Sequence, residues 1–583
     1  MTKVRVLAAA VSLALGCGTA ASRPIVEFPS QARLAELEAK PVTLPPLQTA
    51  EVPPEGWPVE PAGDPADAAD GLWTPRSAWE KTFAREYSAL GHSSALTRAM
   101  ACAARELGRF YLAKQAPAPE PLQQFLTAAC GVFAPSVGLQ TLKANVPETD
   151  SDDVLLARWK NQIFSDLVAR LLADARHVGF WFGRAHGRAV VAAAFESTPV
   201  DLQPLSPAPD ANGDLTIEGR LDGAAEYIAG YANQGRFGVA ACLVDPSVPR
   251  PEFRITCRMA PGDDMAWMQV VYAPPRSVLA QPIVQVLARR DLQRPLIYLQ
   301  PAHAASQPVT DPATFGPAVL AALNAVRGEA RLPAVRLADG QSAAATRVAR
   351  HYFAAALGPS EFADMTSNAV QEMNTIALGL LAGWQVVGTI RDGTFFSALV
   401  PHTRDAGRWV DYALAMPLGR HALMAPDIDE VALGPALFDS PPAIGAVACG
   451  YRFHHSNDHT ADVNQVLSRI TSARQRSNLP PPARLKGMDA VLRRWLGGVQ
   501  QGEWTPKDAL QASLNDASSR YNASMQGLVV EATSLDALEI PAQVLSQANL
   551  QLEIGVTHYK PPGAAWAQLV IVVVFVSASG VAI

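Results

Sequence analysis

The sequence predicts an α+β fold in which a small sandwich of helices and one sheet is repeated in tandem, with an all-β module inserted. The main observation is a pattern that recurs three times: an amphipathic helix opens each copy and two strands close it. The first closing strand carries Gly, and the second is apolar and ends in Phe. These pairs are residues 177–180 and 189–195, 431–434 and 446–453, and 552–555 and 569–575. The long spacing suits a repeated domain rather than a solenoid. A hydrophobic content of 49% over 583 residues can supply several cores.

The opening helices are predicted from apolar residues at i, i+3, i+4 and i+7. They are marked by Leu96, Met100, Ala103, Leu107 and Phe110 in the first copy, by Leu337, Ala344, Val348, Tyr352 and Ala355 in the second, and by Leu485, Met488, Leu492, Trp495, Leu496 and Val499 in the third. Upstream of this helix, the second and third copies both show another helix and a Leu-Pro turn. The agreement indicates one common fold.

The second copy carries Leu-Asn-x-x-Arg at 323–327, Leu-Pro at 332–333, and the segments 420–426 and 430–434. Together these features resemble the CAP superfamily (cysteine-rich secretory proteins, antigen 5 and pathogenesis-related proteins) in its bacterial form. Segment 420–426 is similar to the family's Ser-Pro-x-His-Arg-x-x-Leu-Leu-x-Pro run. The resemblance implies an α-β-α sandwich in each copy, and the first and third copies resemble the family mainly through the second.

The site of the CAP family uses two His and two Glu residues that can hold a divalent cation, and the second copy departs from that set. Alignment on the family's Arg and Pro puts Gly419 where a His belongs, with His421 displaced by two positions. The family's Gly-Glu-Asn falls near 388–393, which has no Glu, and 358–384 has no His. Because a metal site needs several correctly placed ligands, the sequence predicts no metal and no other cofactor.

His421 is therefore predicted to be a structural or surface residue. Two alternatives stay open. Some CAP proteins are peptidases, so the second copy could keep a hydrolase-like site with His421, Glu372 and Glu430 as catalytic candidates. Other CAP relatives bind sterols or fatty acids, so the chain could carry an apolar ligand. The sequence has no nucleophile elbow, zinc-protease helix, phosphate loop or dinucleotide fingerprint.

Between the first and second copies, a Pro- and Gly-containing linker at 204–214 leads into a β-rich insert. Strands are predicted at 215–221, 238–244, 253–259 and 265–272, which suggests a small sandwich or barrel.

The cysteines predict two disulfides and one buried thiol. Cys242 and Cys257 flank a Pro-rich hairpin loop symmetrically and are expected to form a disulfide across paired strands. Cys102 and Cys130 are the second plausible pair, tying two helices together, and Cys449 is expected to be a buried thiol.

The N-terminus predicts export. Lys3 and Arg5 precede an apolar run at 6–15, as in a signal peptide. The residues Ala14-Leu15-Gly16-Cys17 resemble a bacterial lipobox, which would attach a lipid to Cys17. The alternative is ordinary cleavage after Ala21. The Pro-rich stretch that follows is predicted to be a semi-stiff spacer with one or two helical turns at 32–39.

The predicted organisation has six parts. They are a signal peptide at 1–21, a Pro-rich linker at 22–72, a first CAP-like domain at 73–200, the β-rich insert at 201–300, a second CAP-like domain at 301–456 and a third at 457–583.

Three further segments have predicted structures. The dense His cluster, His454 and His455 with Asp458 and His459, is predicted to be a solvated loop rather than a metal site. The run Asp150-Ser151-Asp152-Asp153 is predicted to cap a helix that starts near Val154, where negative charge suits the N-terminal dipole. The apolar C-terminus at 565–583 could suggest a membrane span, but 569–575 takes the place of the closing strand, so β structure is predicted.

These observations predict an exported, lipid-anchored component of a bacterial cell envelope that binds or builds rather than catalyses. It would be an outer-membrane lipoprotein, or a periplasmic or surface protein. The expected partners are the membrane, through the lipid on Cys17, and an envelope polymer, a protein or an apolar ligand. A net charge of −6 without a basic stripe argues against nucleic acid.

Overall fold

The computed structural model describes residues 28–60, 77–89, 94–163, 175–225, 227–274, 279–302, 304–358, 368–386, 389–454, 459–521, 525–532, 540–561 and 566–576, together with residues 73, 75, 277, 535 and 538. Cys17 and the predicted signal peptide lie outside these residues. Helices and antiparallel sheets occur together, so the protein is an α+β protein.

The described residues fall into two compact units. The larger unit covers 28–386 and 393–451, and the smaller unit covers 389–392 and 452–576. Three sets of helices and strands within these units are called the first, second and third groups here, and they span residues 78–196, 312–453 and 459–576.

The first group begins after an N-terminal strap, residues 28–60, which contains α1 (Gln31–Ala39) and β1 (Trp57–Pro58). The group itself comprises α2 (Ala78–Ala89), β2 (Ala95–Leu96), α3 (Arg98–Lys114), α4 (Glu120–Ala129), β3 (Gly138–Asn145), α5 (Asp152–Gln162), β4 (His177–Ala185) and β5 (Arg188–Glu196). As predicted, Ser151 is the N-cap of α5, where its Oγ accepts a hydrogen bond from Val154 N.

The inserted region comprises β6 (Val200–Leu202), β7 (Asp214–Leu221), β8 (Tyr227–Gln234), β9 (Gly238–Ala241), β10 (Leu243–Val244), β11 (Glu252–Arg258), β12 (Met265–Ala273) and β13 (Gln281–Arg289), and is followed by β14 (Ile297–Tyr298). Its strands form two four-stranded sheets, ordered β10-β11-β7-β6 and β13-β12-β8-β9. Ile217, Ile255, Met268 and Val284 are fully or almost fully buried in the core shared by the two sheets.

The predicted strand at 238–244 is interrupted. β9 pairs with β8 in one sheet, β10 pairs with β11 in the other, and Cys242 lies where the chain changes sheets. The strands β8 and β13 were not predicted.

The second group comprises α6 (Pro312–Glu329), β15 (Arg336–Leu337), α7 (Asp339–Leu357), α8 (Asn368–Ala382), β16 (Ile390–Val400), α9 (Ala406–Ala413), α10 (Pro417–Met424), β17 (Glu430–Asp439) and β18 (Pro442–Phe453). The third comprises α11 (His459–Arg476), β19 (Ala483–Arg484), α12 (Met488–Gln500), α13 (Pro506–Tyr521), β20 (Met525–Ala532), α14 (Ala542–Ser546), β21 (Gln551–Tyr559) and β22 (Gln568–Val576). The predicted C-terminal strand is therefore confirmed as β22.

The sheets of the three groups have the same strand order: β2-β4-β5-β3, β15-β17-β18-β16 and β19-β21-β22-β20. In each, a two-residue strand runs parallel to the first strand of an antiparallel ribbon. Successive side chains of a strand point to opposite faces, and both faces are apolar. In β22, for example, Ile571 and Val573 join a core with α11, while Val572 joins a core with α12 and α13. Each sheet thus lies between two helix layers.

The Gly of each closing ribbon has a packing role. A Cβ on Gly179 would lie 2.0 Å from the backbone carbonyl carbon of Met100, and one on Gly434 would lie 2.2 Å from that of Ala345. Gly is required there because the backbones of α3 and α7 rest directly on the strands. At Gly555 the nearest atom is a side-chain atom, Leu496 Cδ1, at 2.4 Å.

The strap corrects the predicted spacer. Its helix α1 is confirmed, but Leu34 and Leu37 are buried against α7 and α8 instead of facing solvent. Farther along, β1 pairs with β14, and Ala50 N donates a hydrogen bond to Pro117 O at 2.9 Å. Two Leu residues three positions apart are enough to dock an otherwise polar helix, and the Pro-rich composition of the segment did not indicate this.

Candidate functional site

The segment where the CAP resemblance places a catalytic or ligating His is α10, and Gly419 lies within it. A Cβ at Gly419 would be 1.8 Å from the backbone oxygen of Ala413 and 3.2 Å from Phe396 Cε2. No real Cβ contact is that short, so even Ala does not fit without movement of the backbone. A His side chain at this position is excluded by the packing of α10 on the end of α9.

His421, two residues on, faces the inserted region. Its ring stacks on Tyr231 of β8, with the ring centroids 4.2 Å apart and an interplanar angle of 25°. Beside it, Asn233 Nδ2 donates to Ala415 O at 2.9 Å, and Gln269 Oε1 accepts from Leu418 N at 3.0 Å. The sheet that contains β8 and β12 therefore covers this face of α10.

Arg420 strengthens the same contact. Its guanidinium donates to Leu414 O at 2.7 Å and, from Nη1, to Gly235 O and Gly238 O at 3.0 and 2.9 Å. Burial lowers the pKa of Arg420 to about 10, with nearby Asp263 opposing the shift. Three carbonyl acceptors compensate the buried charge, so Arg420 joins α10 to the inserted region.

Glu372 lies on α8, where the structure places it beside His351 of α7 and Lys40 of the strap. Glu372 Oε1 is 3.6 Å from His351 Nδ1, and Glu372 Oε2 is 3.7 Å from Lys40 Nζ. His351 is only 4% exposed. Sequence reasoning missed His351, although its place in the Ala-rich stripe of α7 marks it as a buried polar residue.

Glu430, the third catalytic candidate, begins β17 and accepts a hydrogen bond from Arg336 Nη2 at 3.0 Å. Burial raises the pKa of Glu430, and Arg336 partly opposes this. His421, Glu372 and Glu430 thus each engage a different partner: Tyr231, the His351–Lys40 pair and Arg336.

The predicted solvated His loop is partly wrong. His454 is half-buried, its Nε2 lies 3.2 Å from Ala567 O, and its ring stacks on His558 of β21 with centroids 4.4 Å apart. Burial lowers the pKa of His454 to about 4 and also lowers that of His558. His459 begins α11, and its Nδ1 is 3.1 Å from Val556 O. His455 and Asp458 lie outside the described residues.

No group of three or more His, Cys, Asp or Glu side chains suited to a metal occurs within the described ranges. Over the same ranges, no helix has the length and apolar character needed to cross a bilayer.

Both predicted disulfides are confirmed. Cys102 in α3 is bonded to Cys130 at the end of α4, and Cys242 is bonded to Cys257. Cys449 in β18 is buried and forms no disulfide with the described cysteines, also as predicted. The covalent links therefore tie α3 to α4 and the two sheets of the inserted region to each other.

No protein-family model and no curated protein matches the chain. Solved structures that are similar to part of the chain include the following two. A cysteine-rich secretory protein from Staphylococcus aureus is 10% identical, with 49% of this chain and 91% of that chain covered, at a TM-score of 0.17. An extracellular protein with an SCP domain from Bacillus anthracis is 11% identical, with 53% and 97% covered, at a TM-score of 0.18. At these scores the likeness carries no argument about activity.

Proposed function

We propose that the chain is an exported component of a bacterial cell envelope, anchored by a lipid on Cys17, that acts through binding or assembly rather than catalysis. It would consist of three CAP-like domains at 73–200, 301–456 and 457–583, with a β-sandwich inserted at 201–300. Residues 18–27 and the docked strap would connect the lipid on Cys17 to the rest of the chain.

The observation that carries the proposal is the environment of Gly419. The CAP resemblance requires a His there, and the backbone of Ala413 occupies the space that its Cβ would need. The adjacent face of α10 is covered by the inserted region through Arg420 and His421. A substrate would have to displace this contact to reach the position of the family's site.

The shared strand order of the three groups supports the tandem part of the proposal. So does a buried Arg that recurs at one place. Arg327 Nε donates to Pro333 O, and Arg474 Nε donates to Pro480 O, each at 2.8 Å and each six residues along the chain. In the first group, the hydroxyl of Tyr87 in α2 donates to Ser94 O at 3.5 Å, seven residues along.

The hydrolase alternative has less support. General acid–base catalysis needs its groups within hydrogen-bond reach of one substrate atom. His421, Glu372 and Glu430 have separate partners, and the ring of His421 is stacked on Tyr231.

The test compares the purified full chain with two variants, His421→Ala and Tyr231→Ala, on peptide and envelope-polymer substrates. If His421 has a structural role, both variants should lose stability to a similar extent. Any hydrolysis by the wild-type chain should then persist at the same rate in both variants. Activity that disappears in His421→Ala but persists in Tyr231→Ala would contradict the proposal. A folding defect in His421→Ala alone does not mimic that result, because Tyr231→Ala removes the same stacking contact.

A further inference from the structure

The helical hairpin of the third group presents a tryptophan to solvent. The hairpin consists of α12 and α13, which residues 501–505 connect. Trp504 lies in this connection and is 41% exposed, which makes it the most exposed Trp among the described residues. Single apolar side chains on a surface are ordinary, so exposure alone does not mark a site. The way this indole is held, and the groups around it, distinguish it.

The connection holds the indole in one place. Glu503 N donates to Gly498 O at 2.8 Å, and Thr505 Oγ1 accepts from Asp508 N at 3.2 Å, which caps α13 directly after the Trp. A Cβ at Gly498 would lie 2.2 Å from Trp504 Cδ1. The indole therefore rests on the backbone of Gly498, and a larger residue there would displace it. A side chain that is held in this way loses little conformational freedom when it binds a ligand.

A second indole supports the first. Trp495 of α12 and Trp504 meet edge to face, with ring centroids 5.4 Å apart and an interplanar angle of 85°. Trp495 Nε1 donates to Asp516 Oδ2 at 2.9 Å, which fixes this ring against α13. The guanidinium of Arg494 lies over the Trp495 ring, 4.7 Å from its centroid. Trp504 Nε1 donates to no described residue, so the hydrogen-bonding capacity of the exposed indole is unused within the described part of the chain.

Charged groups of both signs border the two indoles. The point that a Cβ of Gly498 would occupy is 3.4 Å from Glu503 Oε2 as well as 2.2 Å from Trp504 Cδ1, so the carboxylate lies beside the exposed ring. Neither Glu503 nor Arg494 forms a side-chain ion pair with a described residue. A charged ligand would be attracted by one of these groups and repelled by the other. An uncharged ligand with hydroxyl groups can donate to the carboxylate and accept from the guanidinium.

We propose that the Trp platform, which consists of Trp495, Trp504, Arg494 and Glu503, binds an uncharged saccharide. One face of a pyranose ring carries C–H groups, which are apolar and are attracted to the negative face of an indole. The hydroxyls around the edge of the sugar need donors and acceptors, and Arg494 and Glu503 supply them. The inference rests on the binding role proposed above and names the class of ligand.

The test uses the full chain and isothermal titration with cellotetraose and tetra-N-acetylchitotetraose, two uncharged saccharides. We expect at least one of them to bind. Trp504→Ala should weaken binding by about tenfold or more, and so should Gly498→Ala, which displaces the indole without removing it. Leu299→Ala, at a residue that is 62% exposed elsewhere, is the matched control and should change nothing. Glu503→Gln keeps an acceptor oxygen and should weaken saccharide binding by less than about threefold, whereas a cationic ligand would lose its counter-ion.

Acrylamide quenching of the wild-type tryptophan fluorescence gives a second readout that needs no variant. A bound saccharide should shield Trp504 and lower the quenching constant. Absence of binding by both saccharides, unchanged affinity in Trp504→Ala, unchanged quenching in the complex, or displacement of the saccharide by tetramethylammonium would each overturn the proposal. None of these results alters the comparison of His421→Ala with Tyr231→Ala, so the two proposals fail separately.

Discussion

The second and third groups share a buried skeleton and differ in what rests upon it. Arg327 and Arg474 are both fully buried, and both donate to carbonyl oxygens around the helix that precedes the closing ribbon: Leu423 and Ala425 in the second group, Val544 and Ala548 in the third. That helix is eight residues long in α10 but five in α14. The longer helix provides the surface on which the inserted region docks. The interior is thus retained while the outer surfaces diverge, so function is to be sought on the surfaces.

The largest expected effect concerns the shared Arg. Arg327→Met and Arg474→Met each leave three carbonyl oxygens without their guanidinium donor, and each should lower the free energy of unfolding by about 3–5 kcal/mol. Urea unfolding of the purified chain measures both. If one variant loses much unfolding free energy and the other loses almost none, the two Arg residues do not have the same structural role in the second and third groups.

The next effect concerns the strap. Leu37 is fully buried against the second group, so Leu37→Ala should cost about 2–4 kcal/mol in thermal or urea unfolding. Glu36→Ala, at an exposed site on the same helix, is the matched control and should cost less than about 0.5 kcal/mol. Equal, small losses of unfolding free energy in the two variants would show that the strap is not docked and acts as the spacer that the sequence predicts.

The ribbon glycines sharpen the comparison. Gly434→Ala drives a Cβ into the backbone of α7 and should cost about 2–3 kcal/mol, since neither element can yield. Gly555→Ala meets the movable end of Leu496 and should cost about 1 kcal/mol or less. Urea unfolding measures the loss of unfolding free energy in each variant. A larger loss for Gly555→Ala than for Gly434→Ala would contradict the packing described for α7.

The smallest expected effect is a pH dependence of the smaller unit. Its folded state holds the pKa of His454 at about 4, below the value near 6.5 in an unfolded chain. Stability from this group is therefore fully present above about pH 6.5 and is lost as the pH falls toward 4, by about 1–2 kcal/mol. His454→Asn, which can still donate to Ala567 O, should flatten the dependence in unfolding curves between pH 4 and 7. If the slope of unfolding free energy against pH is unchanged in His454→Asn, other titratable groups cause the pH dependence.

The sequence predicted those features that depend on local pattern. The strand β22, the opening helices and the Ser151 cap follow from periodicity and capping, and the Cys242–Cys257 bond follows from hairpin symmetry. Features that depend on distant contacts were not predictable in this way. The docking of α1 and the meeting of His351 with Glu372 each bring together residues that no local period links.

The α10 segment falls between these cases. Its sequence already lacked a His at position 419, but only the position of Ala413 shows that the space itself is closed. The strand β8, which covers His421, was missed because Tyr227–Gln234 alternates weakly between apolar and polar residues.

The central claim of the proposal is that the three groups share one helix–sheet skeleton, while the ligand set that the CAP resemblance implies is missing. The most direct measurement is the zinc content of the purified full chain after exposure to zinc and exhaustive dialysis against metal-free buffer. The account predicts well under about 0.1 zinc ion per chain, because a tightly held zinc needs about four ligands and the position at Gly419 cannot supply one. One tightly held zinc per chain would contradict it.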